Sequence, residues 1–417
     1  MTLAFALTAL ATGCGDRSTG PPLTIATERV LPPDGPYVSV YSFKGGSDGA
    51  TPLKHLLNEY GVLYGTTSAG GTGSLCENGC GTVFEITTSG KENVLYSFKG
   101  GSDGANPVAG LIRVNDQFYG TTLYGGTENF GTIYSIGPTG EESVLHSFGK
   151  EPDGRYPIGG LIYVRHTLYG TTYEGGGSRH CDRRHGAGAD APGYPGCGSV
   201  FEATLSGSET IVHKFNNNPD GAYPSAGLFS VRGTLYGTTW GGGHYESFCG
   251  SQCGTVFSID SEGREHVVYR FKGPPDGFNP TAPLLFNNGD LYGTTTEGGR
   301  DISGGSVFRL GLSGQESVIA SFLIQPWYPG PTAGLTYVNG NFYGTTEYNY
   351  NGSASAPGDG SVFKLSPSGK LTVLHVFKGG VDGKNPQGAL VNVNGTLYGT
   401  TSAGGTAGFG TIFKITP

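Results

Sequence analysis

The four residues Tyr-Gly-Thr-Thr recur seven times along this chain of 417 residues. The copies are spaced 50 to 67 residues apart and begin at Tyr64, Tyr119, Tyr169, Tyr236, Tyr292, Tyr343 and Tyr398. A period in this range is typical of repeat architectures, in which each unit buries its apolar face only by stacking on its neighbours. The repeat therefore predicts a fold built from seven similar units.

Each unit contains four short runs with strand character, which we call A to D. In the unit that spans residues 109–148 they are 109–114, 117–122, 131–136 and 143–148, separated by turn residues. Helical periodicity does not extend over more than a turn or two, and the 77 glycines fit tight turns better than helices. Four strands repeated seven times predict an all-β fold, the seven-bladed β-propeller.

The order of the strands predicts how the ring closes. Residues 37–43 form a D-type run with no A to C before it, and residues 410–415 form a C-type run with no D after it. We expect the N-terminal strand to complete the last blade, so that the propeller spans residues 37–417. A β-solenoid is the alternative, and it is disfavoured because its coils are usually shorter and its ends need caps.

The N-terminal segment predicts export. Residues 1–13 are apolar and end in small residues before Cys14, and residues 11–14 are similar to the lipobox of bacterial lipoproteins. On this interpretation Cys14 carries lipid that attaches to the outer membrane or cell envelope, and residues 14–36 form a proline-containing tether. Since no Lys or Arg precedes the apolar run, an ordinary secretion signal remains the alternative.

The other six cysteines fall into three local pairs, each in the loop between strands B and C of a different blade. The pairs are Cys76 with Cys80, Cys181 with Cys197, and Cys249 with Cys253. Paired cysteines in an exported protein predict disulfide bonds. Zinc is the alternative because histidines lie nearby, but a pair of cysteines supplies only two of four ligands.

Composition limits the partners. The formal net charge is −8, charged residues make up 14% of the chain, and there is no basic stripe, so a nucleic-acid partner is not expected. We expect a monomer that needs no organic cofactor.

Residues that recur in nearly every blade are expected to serve the blade. The Tyr-Gly-Thr-Thr set is interpreted as packing, in which Gly lets strands approach, Thr favours strands and Tyr buries its ring. An Asp-Gly-x-x-Pro motif in the D-to-A loops predicts a turn, with Asp accepting from backbone amides and Gly at positive φ. The alternative is a ring of carboxylates that attracts Ca²⁺ or a cationic ligand. The motif begins at Asp48, Asp103, Asp153, Asp220, Asp276 and Asp382, while Trp327 stands at the remaining position.

The D-to-A and B-to-C loops share one face of a propeller, and here they hold every irregular feature. Binding residues concentrate on loops held by a rigid scaffold, so this face is the predicted site. Exposed aromatic residues beside polar ones suit stacking on sugar rings or gripping a protein surface, although they could merely cover loop backbone. The candidate ligand-binding residues are Arg179, His180, His185, Trp240, His244, Tyr245, Trp327, Tyr328, Tyr348 and Tyr350.

Catalytic motifs are weak, and no catalytic residues are assigned. Gly-x-Ser-x-Gly occurs around Ser47 and Ser102, but neither copy opens a helix as a nucleophile elbow would. An acid–base site in the loops of blades 3 and 4 is the enzymatic alternative. In the third blade it would draw on Glu174, His180, Asp182, Arg183 and His185.

Three pieces of the unit, residues 81–90, 93–104 and 118–122, together resemble the GloVer tandem repeat. The resemblance covers residues 37–417. It implies an exported bacterial protein attached to the cell surface, because that family comprises choice-of-anchor proteins, and it implies no known activity. Two function classes follow. The first is a surface binding module for a glycan or an envelope or other extracellular protein, and the second is an extracytoplasmic enzyme acting on polysaccharide.

Overall fold

The computed structural model describes residues 37–178, 180–181, 196–243, 249, 253–300, 304–322, 330–348 and 358–417. It is an all-β structure in which seven antiparallel four-stranded sheets form the blades of a β-propeller. Within each blade, successive strands A to D are hydrogen-bonded neighbours, with A innermost. The predicted fold class is confirmed.

The strands of blades 1 to 4 have the following bounds. Blade 1 comprises Leu57–Glu59, Val62–Thr67, Thr82–Thr87 and Glu92–Ser97. Blade 2 comprises Ile112–Val114, Gln117–Thr122, Thr132–Ile136 and Glu142–Ser147. Blade 3 comprises Ile162–Val164, Thr167–Thr172, Ser199–Ala203 and Glu209–Lys214. Blade 4 comprises Phe229–Val231, Thr234–Thr239, Thr255–Ile259 and Glu265–Arg270.

Blades 5 to 7 follow the same pattern. Blade 5 comprises Leu285–Asn287, Asp290–Thr295, Ser306–Gly311 and Glu316–Ser321. Blade 6 comprises Thr336–Val338, Asn341–Thr346, Ser361–Leu365 and Leu371–Val376. Blade 7 comprises Val391–Val393, Thr396–Thr401, Thr411–Ile415 and Val38–Ser42. Short ribbons pair Gly154–Arg155 with Glu174–Gly175 and Gly277–Phe278 with Glu297–Gly298, and 3-10 turns occupy Gly46–Asp48, Gly101–Asp103 and Gly380–Asp382.

The ring closes as the strand order predicts. The N-terminal strand Val38–Ser42 pairs antiparallel with the C-terminal strand Thr411–Ile415, with Ser42 opposite Thr411. The last blade therefore contains strands from both ends of the described chain, which removes two open sheet edges.

The glycine of each Tyr-Gly-Thr-Thr copy lies against the aromatic ring at the centre of strand C. In all seven blades a Cβ on this glycine would come within 2.4–2.6 Å of an atom of that ring. Real Cβ atoms do not approach so closely, so glycine is what lets strands B and C enclose the ring. The rings are Phe84, Tyr134, Phe201, Phe257, Phe308, Phe363 and Phe413, and all are buried.

The two threonines of each copy hold different neighbours. The first donates from Oγ1, over 2.9–3.5 Å, to a backbone carbonyl of the innermost segment of the next blade, ending with Thr400 of blade 7 bonded to Lys54 of blade 1. The second shares a hydrogen bond of 2.7–2.9 Å with a Thr or Ser that opens strand C. The packing interpretation of the motif is confirmed.

Aromatic pairs complete the blade interfaces. The Phe that follows strand D packs edge-on against the strand C ring of the next blade, with ring centroids 5.0–5.2 Å apart at all seven interfaces. Edge-to-face pairs at this distance contribute beyond the apolar area they bury. The hydrophobic core is thus divided among the seven blade interfaces. The central channel of the propeller is not part of this core.

The three predicted cysteine pairs form disulfide bonds, Cys76–Cys80, Cys181–Cys197 and Cys249–Cys253, with Cα atoms 5.2–5.3 Å apart. Their sulfur atoms are therefore not available to zinc. Across the described ranges, we find no helix of a length and apolarity that could cross a membrane.

Candidate functional site

The aspartates of the Asp-Gly-x-x-Pro motif each anchor their own turn. Every one accepts the backbone N–H of the residue four positions earlier, at 2.6–3.1 Å, as the turn interpretation expects. Every one also contacts the side chain seven positions earlier, in strand D. That residue is Tyr41, Tyr96, His146, His213, Tyr269 or His375.

The glycine of this motif departs from expectation in two loops. Gly49, Gly104, Gly221 and Gly383 have φ between +85° and +126°, but Gly154 and Gly277 do not adopt positive φ. The reason is that these two begin the short ribbons with strand B extensions and so take extended backbone. Glycine is still required at Gly154, because a Cβ would lie 2.5 Å from the Thr172 side chain.

A glutamate at the start of the next blade's strand D joins five of these turns. Burial is the main cause that raises the pKa of Glu92, Glu142, Glu209 and Glu265 to about 7 and that of Glu316 to about 8, and the Asp of the neighbouring turn adds to it. Each interface thus carries a polar cluster, which we name by its strand D residue, its Asp and this Glu. Each label gives the three residue numbers in that order. The clusters whose strand D residue is Tyr are 41/48/92, 96/103/142 and 269/276/316. The clusters whose strand D residue is His are 146/153/209 and 213/220/265.

Of the remaining two interfaces, one replaces all three positions together and the other replaces only the Glu. Where Trp327 replaces the Asp, the strand D position is Ala320 and the Glu position is Leu371. At the last interface, Tyr37 takes the Glu position, and its ring stacks on His375 with centroids 3.8 Å apart. Joint replacement at three distant positions indicates that the clusters belong to the blade interfaces.

The central channel has a different lining. Its wall is formed by the Pro-x-x segments that precede each strand A, and it encloses a cavity of about 180 Å³. Most of the lining is small, such as Ala109–Gly110 in blade 2 and Ala226–Gly227 in blade 4. Blade 1 breaks this pattern with Lys54 and His55 at the same positions.

Charged groups in the channel have shifted pKa values. Burial lowers the pKa of Lys54, partly opposed by Glu347, while burial and the nearby Lys54 lower the pKa of His55. Glu347 directly follows strand B of blade 6, and its Oε1 accepts from Nε2 of Gln387 at 2.7 Å. Burial raises the pKa of Glu347, and hydrogen bonds from Gln387 and Tyr348 oppose that rise. Blades 6, 7 and 1 therefore contribute a linked polar group to one side of the channel.

Three hydroxyl groups continue this polar wall around the ring. Ser225, Thr281 and Thr332 occupy the residue after the proline in blades 4, 5 and 6, and all three line the channel. Their hydroxyl oxygens are buried and have no hydrogen-bond partner among the described residues. Buried polar groups are nearly always paired, so three consecutive exceptions distinguish this part of the channel wall from the hydrogen-bonded threonines of the blade interfaces.

Aromatic residues form a second group on the D-to-A and B-to-C loops of blades 2 to 4, and none of them lines the cavity itself. Tyr156 and Tyr223 directly precede the prolines of two channel-lining segments. Tyr124 packs against Tyr156 with ring centroids 5.6 Å apart, and Tyr223 packs against Tyr173 at 5.2 Å and against Trp240 at 6.4 Å. Tyr124 is 41% exposed, and Tyr156, Tyr173 and Trp240 are partly exposed. We call these five residues the aromatic arc.

Two of the predicted site residues contact groups described above. Trp240 belongs to the aromatic arc, and Tyr348 hydrogen-bonds Glu347. His180 is exposed beside Ser178, and Glu174 lies in the ribbon opposite Arg155. The other predictions fall outside the described residues: Cys14, Arg179, Asp182, Arg183, His185, His244, Tyr245, Trp327, Tyr328 and Tyr350.

Sequence reasoning missed Lys54, His55, Gln387 and the three channel hydroxyls. The signal available was the position after each proline, where residues differ between blades although the flanking Pro and Leu recur. Lys54–His55 in place of small residues was the clearest break in the repeat. Its meaning depended on knowing that this segment faces the channel.

A family model described as the Gloeobacter/Verrucomicrobia repeat matches residues 29–182 and 188–413. No curated protein matches the chain. The family match agrees with a chain made almost wholly of one repeated unit.

Solved structures that resemble the chain are remote in sequence. The quinohemoprotein alcohol dehydrogenase of Comamonas testosteroni is 11% identical with a TM-score of 0.51, covering 93% of this chain and 78% of that one. A periplasmic gluconolactonase of Pseudomonas aeruginosa is 12% identical with a TM-score of 0.49, covering 85% and 96%. A gluconolactonase of Xanthomonas campestris is 16% identical with a TM-score of 0.44, covering 79% and 96%. At such identities the likeness concerns the fold alone.

Proposed function

The chain belongs to the Gloeobacter/Verrucomicrobia repeat family, and from that premise we propose that it is an extracytoplasmic binding protein whose ligand is a saccharide. The binding site is the mouth of the central channel. The observation that carries the proposal is the division of this mouth into an aromatic arc over blades 2 to 4 and a polar wall from blades 4 to 7 and blade 1.

Saccharides match both halves of the mouth. A sugar ring has an apolar face that stacks on Tyr and Trp side chains, which offer large rigid surfaces with a polar edge. Its hydroxyl groups can both donate and accept, and so can the hydroxyls of Ser225, Thr281 and Thr332, which are without a partner among the described residues. The cavity of about 180 Å³ is smaller than common ligand pockets, so it suits the end of a chain rather than a whole oligosaccharide.

The location outside the cytoplasm is supported by chemistry. Three disulfide bonds in one chain are expected in an oxidising compartment. The apolar residues 1–13 and Cys14 support attachment to envelope lipid, with residues 14–36 as the tether. A saccharide-binding face on such a tether would hold the cell or the protein against polysaccharide.

A second candidate function is cleavage of polysaccharide at the same site. Lys54, His55 and Glu347 all have pKa values displaced by burial, and displaced values in a cleft favour a catalytic role. In this account Glu347, with its raised pKa, would protonate the leaving oxygen. Release of reducing ends from a bound polysaccharide, abolished in Glu347→Gln while binding persists, would support it.

A glycan-array screen of the chain tests the binding proposal. Two variants carry the test, Lys54→Met in the polar wall and Trp240→Ala in the aromatic arc. Two controls match them in chemistry but lie elsewhere, namely Lys99→Met in an exposed D-to-A turn and Tyr60→Ala, whose ring is 97% exposed on a hairpin turn. We expect saccharide signals that both test variants lose and both controls keep. If the wild type binds no saccharide, the proposal is wrong and a protein ligand takes its place.

A further inference from the structure

Two of the interface clusters contain histidine and carry the donor atoms of a metal site. In one, His146 and Asp153 of blade 2 face Glu209 of blade 3. In the other, His213 and Asp220 of blade 3 face Glu265 of blade 4. Each residue offers one donor atom, and within each cluster all three donors lie within 4.8 Å of one another.

The separation of His and Asp fits two ligands of one ion. The His Nε2 lies 3.3 Å from the Asp oxygen in the first cluster and 3.2 Å in the second. A charged His–Asp hydrogen bond is usually shorter, about 2.7–2.9 Å. Two ligands held about 2.0–2.1 Å from a tetrahedral ion lie about 3.3 Å apart. The Tyr cluster 96/103/142 lacks this gap, since its Tyr hydroxyl lies 2.6 Å from the Asp oxygen.

The glutamate in each cluster supplies a free donor. Oε1 of Glu209 and of Glu265 is buried, and no hydrogen-bond partner for either lies within the described part of the chain. The Asp in the first cluster is already oriented by two backbone N–H groups, from Gly149 at 2.6 Å and Gly154 at 2.7 Å. A preset carboxylate, a neighbouring imidazole and an unpaired second carboxylate form a three-ligand set.

Charge balance favours a divalent cation. With neutral imidazole, each cluster brings two carboxylates of like charge together, and burial makes ionising both of them costly. An ion of charge +2 offsets both. The side chains of His146 and Asp153 are 21% and 17% exposed, and those of His213 and Asp220 are 19% and 12% exposed, so each site opens to solvent.

We propose that His146–Asp153–Glu209 and His213–Asp220–Glu265 each bind one divalent first-row transition-metal ion of the Zn²⁺ type, with water in the fourth position. Imidazole nitrogen with carboxylate oxygen is a ligand set that suits such ions. Each ion joins adjacent blades, and together the two ions tie blades 2, 3 and 4. Blade 3, which carries the long insertion and contributes to the aromatic arc, is held from both sides.

The chain contains its own controls. The clusters 41/48/92, 96/103/142 and 269/276/316 keep the Asp and the Glu but hold Tyr, whose neutral hydroxyl is a poor ligand for these ions. The pair His375–Asp382 has imidazole and carboxylate, but Tyr37 replaces the Glu and stacks on the His ring. We expect no tight binding at any of these four places.

The test is titration of the metal-stripped chain with Zn²⁺ by calorimetry, and with Co²⁺ by visible absorption. The double variant His146→Tyr with His213→Tyr should fold normally, since Tyr stands at the same position in three other clusters. We expect two Zn²⁺ ions per wild-type chain, none in the double variant, and three in Tyr96→His. Co²⁺ should give the absorption of low-coordinate nitrogen and oxygen ligation in the wild type and in Tyr96→His, but not in the double variant. Equal Zn²⁺ binding by the wild type and the double variant, or no binding by the wild type at 50-fold excess Zn²⁺, would overturn the proposal.

Discussion

The blade interfaces and the channel wall are built from the same repeats but treat their hydroxyl groups in opposite ways. At the interfaces the threonines of Tyr-Gly-Thr-Thr are hydrogen-bonded in every blade, to strand C and to the next blade. In the channel, the residue after each proline varies, and the hydroxyls of Ser225, Thr281 and Thr332 have no partner among the described residues. The repeated threonine hydroxyls are hydrogen-bonded within the protein, whereas the unrepeated channel hydroxyls are free to bond a ligand.

We therefore expect the interface residues to determine the stability of the fold and the channel residues to determine ligand binding. A substitution at a repeated interface position should weaken the ring and leave the channel chemistry intact. A substitution at an unrepeated channel position should alter binding at little cost to the fold.

The largest effect is expected for Gly237→Val in blade 4. The new Cβ would lie 2.5 Å from the Phe257 ring, which is fully buried. Overpacking of this kind costs about 3 kcal/mol, to be measured by urea unfolding. The control Gly289→Ala, at a hairpin turn with positive φ and open space around it, should cost only about 1 kcal/mol. Equal losses would show that close contact with the ring is not what selects glycine.

A smaller loss is expected for Thr171→Val in blade 3. Its hydroxyl donates to the carbonyl of Ala226 in blade 4 at 3.0 Å. Removing the donor leaves a buried carbonyl unpaired, and we expect a loss of about 1–2 kcal/mol in urea unfolding. Thr336→Val could not replace Thr171→Val in this experiment, because Thr336 belongs to strand A and not to the Tyr-Gly-Thr-Thr motif. The matched control is Thr139→Val at an exposed turn, which should have little effect. Equal stability of the two variants would contradict the role assigned to the first threonine.

The smallest effect concerns pH and the Tyr-type clusters. The pKa of Glu316 is raised to about 8, mainly by burial, from an ordinary value of 4.5. Because the folded state holds this proton more tightly than the unfolded state, the stability it contributes is present below about pH 4.5 and is lost as pH rises through 8. Glu316→Gln cannot ionise, so it should match the wild type at pH 5 and exceed it slightly at pH 9.

Thermal unfolding at both pH values measures this, with Glu77→Gln, an exposed glutamate, as the control. Since the Glu316 side chain is partly solvated, we expect a difference of less than about 1 kcal/mol. A variant that is less stable than the wild type at pH 9 would mean that the charged carboxylate is the form that stabilises the interface.

The fold was predictable from the sequence because each of its causes is local or periodic. Turn residues, strand alternation and the unpaired D-type run at residues 37–43 all lie within one repeat. The cysteine pairs were equally local, four or sixteen residues apart. The channel site was not predictable in this way, because Lys54 and Glu347 meet only when the ring closes.

The interface clusters were partly predictable from the sequence, more so than the channel site and less so than the fold. The spacing of seven residues from His146 to Asp153 recurs in the sequence and could have been noticed, as could the joint change to Ala320, Trp327 and Leu371. The Glu209 partner comes from the next blade, so the contact depends on how blades pack. A pattern in which three distant positions change together within one chain is the signal that would have found it.

The most direct test of the division between interface and channel is a pair of affinity measurements. The probe is the oligosaccharide with the strongest array signal, titrated by calorimetry into Thr171→Val and into the double variant Thr281→Val with Thr332→Val, whose hydroxyls have no partner among the described residues. We predict that the channel variant loses about tenfold or more in affinity with unchanged thermal unfolding, since it removes hydrogen bonds to the ligand. We predict that Thr171→Val keeps its affinity and loses stability. A channel variant that binds like the wild type would contradict the account.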